Sequence, residues 1–152
     1  MATEIERKFL VHGDAWRTRD PIRISQGYLC RAKERTVRVR IAGDRAWITI
    51  KGITTGASRP EYEYEIPIAD ANELLRLCEG PLIEKLRHVI VHEGMTWEID
   101  EFRGDNEGLI VAEVELDDEA ESFARPSWLG EEVTDDPRYF NANLSVRPFT
   151  TW

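Results

Sequence analysis

The stretch Glu4-Ile5-Glu6-Arg7-Lys8-Phe9-Leu10 decides how the rest of this 152-residue chain is read. In a β-strand, residues two apart share a face. Glu4, Glu6 and Lys8 then point the same way, with Ile5 on the other side. Two carboxylates beside an ammonium have the composition of half a site for a metal and an anion. The other half must come from elsewhere in the chain.

Working outward, alternation marks strands over 3–11, 22–29, 35–42, 45–52, 61–68, 82–92, 95–103 and 109–117. Ala42-Gly43-Asp44 and His92-Glu93-Gly94 read as hairpin turns, and Gly52 to Pro60 as a longer loop. The charges repeat the parity of the first strand. Arg38 and Arg40 share a face opposite Val37, Val39 and Ile41, and Lys51 lies opposite Ile48 and Ile50. Glu61, Glu63 and Glu65 alternate with Tyr62, Tyr64 and Ile66. Lys85 and Arg87 flank Leu86, Glu98 and Asp100 flank Ile99, and Glu113 and Glu115 flank Val114.

An ordinary amphipathic strand puts its charges in water. Same-signed pairs along one strand repel, however, and need compensation from neighbouring strands or from a ligand carrying both signs. A polyphosphate recruits Lys and Arg donors. A divalent cation bridging its oxygens recruits carboxylates. A triphosphate-like anion with Mg²⁺ or Mn²⁺ therefore needs both clusters facing one cavity. The pattern predicts an α+β chain whose strands make an antiparallel barrel or a strongly curved sheet with helices outside, and an eight-stranded antiparallel β-barrel with its charges inward meets that need. Its apolar exterior is to be covered by helices or by a second subunit. Helices are expected over Ala69 to Cys78, with Asp70 as N-cap and Gly80 as stop, and over Asp117 to Ala124, before Pro126. A third is expected from Asp136-Pro137 to about Val146.

The bulk numbers set limits. The length suits one domain over 1–152, and the 32 % charged content exceeds the usual level of about a quarter. A net charge of −9 argues against general nucleic-acid binding but leaves room for a local cationic pocket. No apolar run approaches the roughly 18 residues of a membrane span, and the N-terminus has no signal-peptide order. Cys30 and Cys78 read as two reduced thiols of a cytoplasmic protein. His12, His88 and His92 have no zinc spacing, and no P-loop or Gly-x-Ser-x-Gly is present.

Glu4-Ile5-Glu6-Arg7-Lys8 resembles the Glu-x-Glu-x-Lys signature of the CYTH domain, the triphosphate tunnel metalloenzymes. The later elements Arg38-Val39-Arg40, Lys51, Glu61-Tyr62-Glu63, Lys85-Leu86-Arg87, Glu98-Ile99-Asp100 and Glu113-Val114-Glu115 follow in order. The tail Gly130-Glu131-Glu132-Val133-Thr134-Asp135-Asp136 is similar to the bacterial inorganic triphosphatase-like branch. The resemblance implies that Glu4, Glu6 and Glu115 hold one divalent ion, and that Glu63, Asp100 and Glu113 are candidates for a second. It implies that Lys8, Arg38, Arg40, Lys51, Lys85 and Arg87 grip the phosphates. Glu61 and Glu98 line the wall by parity. Some relatives offer a lysine from a C-terminal helix; here that segment has none, and Arg138 is the candidate replacement.

The implied activity is metal-dependent hydrolysis of a triphosphate, foremost inorganic tripolyphosphate to pyrophosphate and phosphate. Lys85, set among other cations, is the candidate acceptor of the attacking water's proton. The alternatives are an adenylate cyclase, a nucleoside or thiamine triphosphatase on the same fold, and a non-catalytic polyphosphate-binding module. The expected partners are a small triphosphate or short polyphosphate, neither nucleic acid nor membrane, and by the resemblance a second copy in a homodimer.

Overall fold

The first strand has three partners, and this closes the sheet. β1 (Thr3–Val11) pairs with β5 (Ser58–Ile66) at its start, with β8 (Ile110–Glu115) in its middle and with β9 (Leu129–Glu132) at its end. The computed structural model describes residues 3–152. Between these lie β2 (Ile22–Cys30), β3 (Arg35–Ala42), β4 (Arg45–Gly52), β6 (Glu79–His92) and β7 (Met95–Phe102). The sheet order is β5-β4-β3-β2-β6-β7-β8-β1-β9, and the β5–β1 pairing turns the first eight into a closed antiparallel barrel. Closure leaves no free edge in the ring. β9 is an additional strand on β1 that the sequence pattern did not mark.

Register then aligns the charged rows. Glu6 lies opposite Glu115 and Lys8 opposite Glu113. Glu98 faces Glu113 across β7–β8, and Arg87 faces Asp100 across β6–β7. Lys51 faces Glu61 and Thr49 faces Glu63, while Arg40 lies between Gln26 and Trp47. Directly opposed residues of an antiparallel pair share a face. One row from every strand of the ring therefore points into the barrel.

The apolar rows point outward and are covered on two sides. Phe9, Trp97, Ile99, Ala112 and Val114 pack beneath Trp16, Leu116, Phe123 and Trp128, which come from irregular segments. On the other side α1 (Ile68–Arg76) lays Ala71, Leu74 and Leu75 over Val39, Ile41 and Ala46. Ile50, Tyr62 and Tyr64 of β4 and β5 remain exposed.

The inward rows are not charged throughout. One step beyond Lys8, Lys85, Asp100 and Glu113 they turn to Leu10, Ile83, Phe102 and Val111. These pack with Leu109, Val133, Tyr139 and Leu144 into a second apolar cluster. The barrel is thus blocked by a hydrophobic plug, to which the C-terminal segment contributes.

The helices differ most from expectation. α1 starts at Ile68 with Pro67 at its N-cap, so Asp70 lies in the first turn. Gly80 does not end it: it has φ 69° inside β6, where the register with β2 shifts. Residues 117–124 form turns instead of a helix. Asp118 accepts from the Ala120 N–H and Glu121 from the Asp117 N–H, local bonds that compete with helix formation. The third expected helix is broken at Phe140, which is extended (φ −70°, ψ 130°). It leaves a 3-10 turn, Pro137–Tyr139, and the four-residue α2, Asn141–Leu144. The break lets Tyr139 and Leu144 enter the plug while Phe140 faces Lys8.

Phe9 is fully buried and meets Trp97 and Phe123 edge-on at 5.8 and 6.0 Å. Phe9→Ala is expected to lower unfolding stability by about 3–5 kcal/mol, read from urea denaturation.

Candidate active site

The barrel encloses a cavity of ≈ 710 Å³, within the range of small-molecule sites. Nine cationic and eight carboxylate side chains line it. Glu4, Glu6, Lys8, Arg38, Arg40, Lys51, Glu63, Lys85, Arg87, Glu113 and Glu115 are all among them, as are Glu61 and Glu98. Asp100 is not: it shares the inward face but lies beneath Lys85 and Arg87, almost fully buried.

In one part of the cavity, acids gather around two lysines. The Lys51 ammonium donates to both Glu4 oxygens at 2.8 and 3.0 Å and lies 3.4 Å from Glu61. Arg59 adds a contact of 3.6 Å to Glu4. Lys8 sits 3.8 Å from both Glu6 and Glu113, with the Phe140 ring 5.4 Å away. Burial works to raise the Glu4 pKa, but Lys51, a hydrogen bond with Glu61 and then Arg59 outweigh it and the net shift is downward. Burial also works against the Lys8 charge, and Glu113 and Glu6 overcome it. Glu61 is pushed up to about 7 by burial and by its neighbour Glu4. Burial, then Glu4, Glu6 and Glu98, raise Glu115.

These raised acids mark an excess of negative charge that a divalent cation would relieve, so the donor set fits a hard metal with oxygen ligands. Among the described residues, no three Asp, Glu, His or Cys side chains are already gathered around one point. Glu4 is instead paired with Lys51, and Glu6 lies 3.8 Å from Lys8.

The other part is dominated by cations. Asp100 accepts from Lys85 Nζ at 2.7 Å and from two Arg87 nitrogens at 2.8 and 2.9 Å. Arg87 also reaches Glu98 at 3.2 Å. Burial opposes ionisation of Asp100, yet Arg87 and Lys85 hold it well below the usual carboxylate range. Burial lowers Lys85 to about 7; Asp100 opposes that shift, while Arg87 and Arg40 add to it. Arg40 is brought down to about 9 by burial and by Arg38 and Arg87. Arg38 donates to Thr49 Oγ1 at 3.1 Å, but its buried Nε has no partner among the described residues.

Several wall residues escaped the sequence reading. Arg59 falls within the expected Gly52 to Pro60 loop but belongs to β5, which begins three residues before the expected strand. Gln26 belongs to the inward row of β2 and accepts from Arg40 Nε at 2.7 Å. Its parity with Tyr28 was available, but an amide carries no charge to attract notice. Phe140 and Asn141 come from the broken C-terminal segment, where only the fold reveals proximity. Arg138 does not replace a tunnel lysine. It is exposed, pairs with Asp136 at 2.7 Å and lies over Tyr139 and Trp152. Trp47 faces inward by register without lining the cavity.

A closed antiparallel barrel with opposed inward rows of acids and bases is the architecture of a triphosphate tunnel protein. The CYTH domain family model matches residues 2–147, and the chain belongs to that family. It is similar to an inorganic triphosphatase of Acetivibrio thermocellus, with 53% identity covering 98% of this chain and 97% of the relative. It is also similar to an inorganic triphosphatase of Nitrosomonas europaea, with 37% identity over 95% and 97% of the two chains. A solved structure described as the inorganic triphosphatase NE1496 superposes with a TM-score of 0.68, at 35% identity and 96% coverage of each chain.

Removing one partner of a buried ion pair leaves uncompensated charge, and typically costs about 3–5 kcal/mol. Asp100→Asn is expected to lose stability on that scale at pH 7, measured by urea unfolding. Because folding depresses the Asp100 pKa, its contribution is full above the ordinary Asp value of about 4 and fades as the pH falls further. The gap between wild type and variant should therefore narrow in acid.

Proposed function

We propose that this chain is an inorganic triphosphatase, a metal-dependent hydrolase cleaving tripolyphosphate to pyrophosphate and phosphate. The observation that carries the proposal is that a buried cation cluster and a crowded acid cluster share one cavity, blocked by an apolar plug. The names of two relatives that match nearly the whole chain support it. Only Tyr28 and Phe140 among the lining residues are aromatic, and Phe140 already faces Lys8. This favours an unsubstituted phosphate chain over the adenine of a cyclase or nucleoside triphosphatase. A non-catalytic polyphosphate module would need the cations but not the acids.

In this reading Arg38, Arg40, Lys51, Lys85, Arg87 and Lys8 bind the phosphate oxygens. Glu4, Glu6 and Glu115 hold a divalent ion, Mg²⁺ or Mn²⁺, with Glu63 and Glu113 available for a second. Such an ion supplies Lewis-acid polarisation of the phosphate oxygens when bound. Asp100 enters as the counter-ion that fixes Lys85 and Arg87, since both cations already occupy its oxygens. Lys85, brought near neutrality, accepts the proton of the attacking water and then faces the leaving group as a cation. Positioning and charge neutralisation carry most of the rate in phosphoryl transfer.

The assay offers tripolyphosphate, ATP, thiamine triphosphate and pyrophosphate with Mg²⁺ or Mn²⁺ and measures phosphate, pyrophosphate and cyclic AMP. Tripolyphosphate should be turned over best. Preference for ATP, or no turnover of any, contradicts the proposal. Glu6→Gln should abolish metal-dependent turnover with an unchanged circular-dichroism spectrum. In the wild type, kcat should rise with pH through about 7 as Lys85 loses its proton. Lys85→Arg should lose that rise along with most activity; full activity in this variant rejects the proton-acceptor role.

A further inference from the structure

Donor-only neighbours fix the orientation of one amide in the cavity wall. The Arg40 guanidinium can only donate, so Gln26 must offer it Oε1, which it does at 2.7 Å. Gln26 Nε2 is thereby committed to donating, and it reaches Asn141 Oδ1 at 3.2 Å. The Lys85 ammonium donates to the same oxygen at 3.1 Å. Both neighbours demand an acceptor, so Asn141 Nδ2 must occupy the other branch of its amide. Asn141 lines the cavity, and its Nδ2 is neither hydrogen-bonded within the described residues nor shut away from the cavity.

We propose that Asn141 is a substrate-contacting residue whose Nδ2 donates to an oxygen of the phosphate held by Lys85, Arg40 and Arg87. The proposal rests on the triphosphate reading of this cavity. A neutral donor suits the place. Arg87 and Arg40 already act against the Lys85 charge, as Arg38 and Arg87 do against that of Arg40, and a further cation would deepen the loss of charge on both. An amide adds a hydrogen bond to the anion without adding that repulsion. The break at Phe140 acquires a role as well. It brings the amide to the wall while Leu144 anchors the same short segment in the plug.

Two variants and one spectrum test this. Asn141→Asp keeps an oxygen for Gln26 and Lys85 but has no donor, whereas Asn141→Ala removes both functions without adding charge. With Mg²⁺ and tripolyphosphate, each should lose at least tenfold in kcat/KM. The Asn141 side-chain amide signal, assigned in ¹⁵N NMR by its absence from Asn141→Ala, should move downfield on saturation of the wild type with Mg²⁺ and pyrophosphate. Wild-type kinetics in Asn141→Asp would mean that the amide serves only as an acceptor for its protein neighbours, and would overturn the proposal. Wild-type kinetics in Asn141→Ala, or an unmoved amide signal, would overturn it equally. A shifted signal in a protein that does not hydrolyse tripolyphosphate would strike the proposed substrate while leaving the Asn141 contact standing.

Discussion

Asp100 lies between Lys85 and Arg87 with almost no exposure, and this contact makes the cationic wall of the barrel tolerable. Two buried cations on one strand, beside Arg40 and Arg38 of another, would repel and lose their charge. Asp100 faces Arg87 across the β6–β7 ladder and takes hydrogen bonds from both cations. The same logic runs in reverse across the cavity, where Lys51 and Lys8 stand among Glu4, Glu61, Glu6 and Glu113. Each cluster of one sign contains a minority of the other. That arrangement holds the fold together while leaving a surplus on each side for a ligand that carries both signs.

Turning the charges inward exchanges the usual roles of the two faces. The barrel's hydrophobic stabilisation then comes from outside the ring, where Phe9, Trp97 and Val114 lie under irregular chain carrying Trp16, Phe123 and Trp128. α1 covers the opposite flank. Inside, Leu10, Ile83, Phe102 and Val111 end the charged rows together, so the cavity has an apolar floor built partly by Tyr139 and Leu144. Site and core therefore share every strand of that wall: β1, β6, β7 and β8 each carry charges for one and a hydrophobe for the other.

Much of this was legible in the alternation of single strands. Glu4, Glu6 and Lys8, the pairs Arg38/Arg40 and Lys85/Arg87, and the acids of β5 and β8 all share faces at period two, and a fold with a closed ring brings those faces together. Asp100 had the right parity, but its assignment as a ligand depended on depth, which period-two reasoning does not measure. The plug was also encoded, in the apolar residue one step beyond the charged pairs of β1, β6, β7 and β8, though only a known register shows that Leu10, Ile83, Phe102 and Val111 meet. The helices were less readable. Asp118 and Glu121 bind their own backbone, and Phe140 breaks its helix to satisfy packing on both sides of it. Phe140 and Asn141 reached the site through tertiary contact, with no local signal of their own, and Gln26 had only its parity.

The central claim is that the metal and the phosphate chain compensate opposite halves of one cavity. The most direct test is the thermal unfolding midpoint of the protein with Mg²⁺ alone, tripolyphosphate alone and both together, in Glu6→Gln so that turnover does not consume the ligand, and in wild type with pyrophosphate as the stable anion. In wild type, the joint upshift should exceed the sum of the two separate upshifts, because each ligand relieves the repulsion that the other leaves. In Glu6→Gln that excess should shrink while the shift from tripolyphosphate alone persists. Strictly additive shifts in wild type, or no response to the anion at all, would contradict the account.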